Sequence, residues 1–230
     1  MALKINRTTQ RVLRGIGIVL LIVIVLCMGK ILIWETDYYR NKTGEERAVA
    51  DVPITRVVSA LNPSEEKPTD KELEEYQVEK ETPRYLDIKR LKIHARIQMS
   101  EVDTNGILAV PNNIYDASWY SGSNKPNHGG YIIISGIHST KDKKGIFANL
   151  DSLEQGDEIV IEVGSGDKYT YEVKEINIIS DQKDSDEVLA KMQTRLNQKE
   201  TLSLVTVKTN TSNQEFESLV MLRANRIERE

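Results

Sequence analysis

Residues 15 to 34, GIGIVLLIVIVLCMGKILIW, carry one charge, Lys30, placed four residues from the end where its long side chain can snorkel to lipid headgroups. At about 1.5 Å of rise per residue, the stretch covers roughly 30 Å, one hydrocarbon thickness. It reads as a membrane-spanning helix. Lys4, Arg7, Arg11 and Arg14 precede it without an acidic residue, whereas Glu35 and Asp37 follow at once. This asymmetry places residues 1 to 14 in the cytoplasm as a basic tail and everything beyond residue 35 outside the cell. A cleaved signal peptide is the competing reading. The run is longer than a signal core, and the nearest small-x-small triplet, Ala48-Val49-Ala50, lies too far downstream. Trp34 fits an interfacial residue.

The rest of the chain has two characters. Residues 35 to 83 hold Pro53, Pro63, Pro68 and Pro83 amid dense charge, with no apolar period, and are expected to form a stalk. As a flexible coil this length spans roughly 40 Å. Within it, Thr69 and Glu72 have capping-box spacing, which predicts a short solvated helix over DKELEEYQVE. From Arg84 to Glu230, short apolar runs of period two alternate with Gly, Asn and Asp clusters. YLDI, ARIQM, GILAV, YIIISGI, EIVIEVG, KYTYEVKEINII, TLSLVTV and SLVML are strand candidates. Ile159, Ile161 and Val163 share a face opposite Glu158 and Glu162, and Tyr169, Tyr171 and Val173 repeat the pattern. GIFANLDSL (145 to 153) and SDEVLAKMQTRL (185 to 196, capped by Ser185 or Asp184) read as helices. Some eight strands in this length predict a mainly β domain, a closed or nearly closed barrel with peripheral helices.

Composition closes off several functions. Only one Cys, Cys27, is present, so neither an intramolecular disulfide nor a multi-cysteine zinc site exists. A net charge of −4 lacks the basic excess of a nucleic-acid binder. No HExxH or His/Cys cluster marks a metal hydrolase. Neither cofactor nor metal is expected. His94 and His128 read as surface residues, and Trp119 and Tyr120 as barrel packing.

NNIYDASWYSGSNKPNHGGYIIISGIHS, GIFANLDSLEQGDEI and SLVTVKTNTSNQEFESLVMLRA, in that order behind an anchor and a stalk, resemble the sortases, membrane-anchored cysteine transpeptidases. The resemblance covers residues 84 to 230. It implies an eight-stranded sortase-like β-barrel in which a Cys thiolate attacks the Thr–Gly carbonyl of a sorting signal, a His serves as acid and base, and an Arg holds the oxyanion. The Cys normally ends a Leu-x-Thr-Cys strand, which here places Val207 at its position. The His normally follows Gly directly, which gives Ile137, with His138 one place late. The Arg lies five residues before an Ala, and counting back from Ala224 gives Leu219.

All three family positions are therefore apolar. Val has no lone pair and no ionisable proton, so thioacyl chemistry at 207 is excluded, and Cys27 belongs to the membrane run. A hydroxyl nucleophile is the alternative: Ser203 and Thr209 share parity with Val207, whereas Thr206 points to the opposite face. Such a hydroxyl needs a positioned base. His138 should face away from the groove, because one residue reverses a strand face, unless a bulge at Gly136 restores it. With the charges gone together, the groove floor is expected to be dry and apolar, either packed shut or holding an apolar peptide segment. Two functions are consistent with this. One is an inactive homologue at the cell surface that binds a sorting-signal peptide, a pilin or an active sortase. The other is an active transpeptidase or hydrolase with a rebuilt or differently aligned site.

Overall fold

The computed structural model describes residue 54, residues 56–58, 62–192, 199–210 and 215–228. The expected span at 15 to 34 and the basic tail lie outside them. Among the described residues no helix is long and apolar enough to cross a membrane.

The described residues form ten strands: β1 (Arg56–Val58), β2 (Pro83–Ile88), β3 (Ile93–Ser100), β4 (Ile107–Ala109), β5 (Ala117–Tyr120), β6 (Tyr131–Gly136), β7 (Glu158–Val163), β8 (Lys168–Ile179), β9 (Thr201–Thr209) and β10 (Phe216–Ile227). Eight of them close a barrel in the order β10-β8-β7-β2-β3-β5-β6-β9. Neighbours are antiparallel except for β3–β5 and β6–β9, which run parallel. Alternation accounts for closure. Along β6, Ile132 and Ile134 enter the barrel with Leu202 and Leu204 of β9, Ile159 and Ile161 of β7, and Val220 and Leu222 of β10. The intervening residues form a second apolar layer outside the wall.

The expected barrel of eight strands is present, but its membership differs in one place. GILAV does form a strand, β4, yet it leaves the barrel and pairs in parallel with β1, Val57 opposite Leu108. Its place in the wall is taken by β5, ASWY, whose four residues are all buried. A strand buried on both faces shows no period-two signal, which is why the alternation did not mark it.

The described residues include two helices, α1 (Asp70–Glu75) and α2 (Gln182–Met192). The capping box on α1 forms as expected: Glu72 N donates to Thr69 Oγ1 at 3.3 Å and Thr69 N to Glu72 Oε2 at 2.8 Å. In α2 the helix starts three residues earlier than expected. Asp181 takes the capping role, its Oδ1 accepting from the N–H groups of Lys183 and Asp184 at 2.8 and 3.1 Å. The helix expected over 145 to 153 reduces to one 3₁₀ turn, Leu150–Ser152. Gly145 there leaves no room for a Cβ, which would fall 2.2 Å from the Ile137 carbonyl oxygen.

The segment read as a stalk is not free where it is described. Ile54 and Val57 are buried in the outer apolar layer. Ser64 N donates to Asn112 O at 2.7 Å and accepts, through its carbonyl, from Ile114 N at 3.0 Å. Farther on, Tyr76 Oη donates to Ile97 O at 2.6 Å, and Arg84 Nε donates to Tyr76 O at 2.8 Å. Prolines and charges break regular structure without preventing a chain from being laid along a folded wall.

Candidate functional site

The outer face of β6, β9 and β10 holds two of the three aligned positions. Val207 and Leu219 are register partners across β9 and β10. Leu219 is fully buried, and Val207 packs half-buried against the same layer. Odd-numbered residues make this face: Ile133 on β6, Val205 and Val207 on β9, Leu219 and Met221 on β10. Val57 and Leu108 of the β1–β4 pair, Leu189 of α2, Tyr120 of β5, and Ile54 and Val102 belong to the same buried cluster. Ser135 Oγ donates to Ala109 O at 3.3 Å, fastening β4 to the wall. This face is largely apolar, with Ser135 and Ser203 buried among the alkyl side chains, and the chain's own segments pack on it.

Ile137 is also buried, at 2% exposure, but lies just past the end of β6. Its carbonyl accepts from Phe147 N at 3.0 Å, and its side chain sits against Gly145. It is not part of the cluster around Val207 and Leu219. The parallel register of β6 on β9, Ser135 opposite Val205, and the Thr206–Gly136 hydrogen bond bring the end of β6 beside the end of β9 that carries Val207.

His138 is half-buried, with Nδ1 3.1 Å from Ser139 Oγ. Burial, and then the Lys208 ammonium, hold its pKa below the ordinary imidazole value, with Asp151 and Glu217 opposing them. Lys208 and Glu217 form an ion pair at 2.6 Å. Lys208 follows Val207 on β9, and Glu217 lies at the irregularity in register between Phe216 and Ser218 on β10, so His138 feels charges carried at the Val207 end of these strands. Thr206 faces the barrel interior, its Oγ1 donating to Gly136 O at 2.8 Å. Ser203 is buried on the outer face and Thr209 closes β9 half-exposed. Among the described residues no hydrogen bond joins either hydroxyl to His138.

A buried polar cluster escaped sequence reading. Asp116 is fully buried and accepts from Arg96 Nε and Nη2, both at 2.9 Å, and from Gln98 Nε2 at 2.6 Å. Arg96 also stands 5.8 Å over the Tyr76 ring, so one network joins β3, the turn before β5 and the segment after α1. The period-two spacing of Arg96 and Gln98 was the available signal. Ile54, Val57 and Val58 were likewise an apolar trace within the charged segment, too short to show a period.

The sortase domain family matches residues 86–226, β2 through β10. The chain belongs to the sortase family. Among curated proteins nothing matches. Among solved structures, sortase A from Corynebacterium diphtheriae is 20% identical, covering 83% of this chain and 83% of its own, with a TM-score of 0.51. A Clostridium perfringens sortase D5 transpeptidase is 22% identical over 70% of this chain and 91% of that one, TM-score 0.45. Sortase C-1 from Actinomyces oris is 17% identical over 63% and 73%, TM-score 0.46. At these identities the likeness to solved sortases concerns the fold.

Proposed function

We propose that this protein is a sortase-family binding protein of the bacterial cell surface, anchored by residues 15 to 34 and without transpeptidase activity. Val207 carries the reading. It stands at the position aligned with the family's nucleophile, and an alkyl side chain can neither be deprotonated nor form a thioester. The register partnership of Val207 with Leu219, the position aligned with the oxyanion-holding Arg, supports it. Burial of Leu219 in an apolar layer, with Val207 half-buried against it, supports it further. Partners of the family's own chemistry fit this role: a sorting-signal peptide, a pilin or an active sortase.

The test is turnover. Full-length protein in detergent, incubated with a library of sorting-signal peptides and an amine acceptor, should give neither hydrolysis nor transfer above a protein-free blank. Turnover that vanishes in Ser203→Ala or Thr209→Ala would establish a hydroxyl-dependent enzyme instead. Turnover that survives both substitutions would mean that the aligned positions are wrong.

A further inference from the structure

A cavity of about 480 Å³ opens between β3, the segment around α1 and the loop following β6. Its volume is within the range of ligand-binding clefts. Three observations describe what it can hold. Leu73, Leu91 and Ile146 line it with apolar surface, while Lys67, Lys92 and Lys144 line it with charge and Asp70 is the only acidic lining residue. None of these lysines forms an ion pair among the described residues, and all three are exposed. The local sign is positive on a chain of net charge −4. Finally, β3 pairs on both edges only in part. Ile93 to Arg96 pair with β2, but β5 begins alongside β3 only at Ile97. Ile93, His94 and Ala95 line the cavity over the stretch where that second edge has no strand neighbour.

An open strand edge is a template for main-chain hydrogen bonding, and alternate side chains of an added strand fall into whatever lies beside it. We propose that an extended acidic peptide segment of a partner protein binds here, adding as a short strand along Ile93–Ala95 with its carboxylates toward Lys67, Lys92 and Lys144. His94 does not supply the charge, since its Nδ1 is 2.6 Å from Asp87 Oδ1 and its ring stacks on Tyr85. None of Val207, Leu219 and Ile137 lines this cavity, so the proposal does not depend on chemistry at those positions.

The probe is the fluorescein-labelled peptide acetyl-Val-Glu-Val-Asp-Val-Glu-amide, followed by anisotropy with full-length protein in uncharged lipid nanodiscs. Saturable binding is expected. The Gln/Asn version should bind at least tenfold more weakly, as should the acidic peptide toward Lys92→Glu/Lys144→Glu. Lys183→Glu, exposed on α2, should leave binding unchanged, and thermal melts verify that each variant is folded. A peptide N-methylated at alternate amides keeps its charge but cannot complete the ladder, and should lose binding by at least tenfold. Absence of saturable binding overturns the proposal. So does equal affinity for acidic and neutral peptides, and so does indifference to N-methylation, which would reduce the site to a charge patch without strand addition.

Discussion

Leu219 and Val207 differ in what they tolerate, because one is sealed and the other half-covered. Val207→Cys should fold normally, a thiol being small and weakly polar, and should generate no peptide turnover, since Leu219 leaves no guanidinium to hold the oxyanion. Leu219→Arg would push a guanidinium into the apolar layer without a counter-ion, at a cost on the order of 3 kcal/mol or more. Thermal melts separate the cases, and a Leu219→Arg variant that melts like the parent would mean the face is open and wetted. His138 offers a second test. Its pKa is lowered in the folded protein, so the unfolded chain binds a proton more readily. Its contribution is therefore intact above about pH 6.5, and is lost as pH falls from there toward the depressed value. His138→Gln should shallow the fall in melting temperature below pH 6.5. Asp116→Ala should cost about 3–5 kcal/mol, because it strands the Arg96 guanidinium against a wall built to neutralise it. A denaturant midpoint measures that loss.

At the scale of elements, the β1–β4 pair forms a two-stranded sheet of its own outside the barrel. It is only three residues long on each strand, yet Ile54 and Leu108 are fully buried beneath it. Ile54→Ala should cost about 2–5 kcal/mol if that layer is a core, whereas a loosely resting segment would lose far less. Chemical denaturation decides between them. Strands with one wet face, β7 and β8, were legible because charge alternates with apolar residues along them. The element that sequence reading misplaced, β4, has the same apolar content as a wall strand; what assigns it outside is its partner, and partners are not written in local pattern. Of the site, the identity of the aligned residues was readable. That Ile54, Val57 and Leu108 would pack in one layer with Val207 and Leu219 was not, because the partner of a short apolar run is not written in local pattern.

For the whole molecule, the charge asymmetry around residues 15 to 34 predicts an external barrel. Protease added to intact cells should release the domain; protection until lysis would reverse the topology. The strand order has a further consequence, in time rather than space. β6 closes against β9, so Tyr131 must find Thr201 across a long intervening stretch, and β10 must then enter between β9 and β8. Loop closure of this length precedes any reward from the contact, so the seam should form late and slowly. Until the last strand emerges, neither β8 nor β9 has its second neighbour. A chain emerging N-terminus first therefore has nothing to gain from early closure and stays open until it is almost complete, a state that threading through a narrow channel requires.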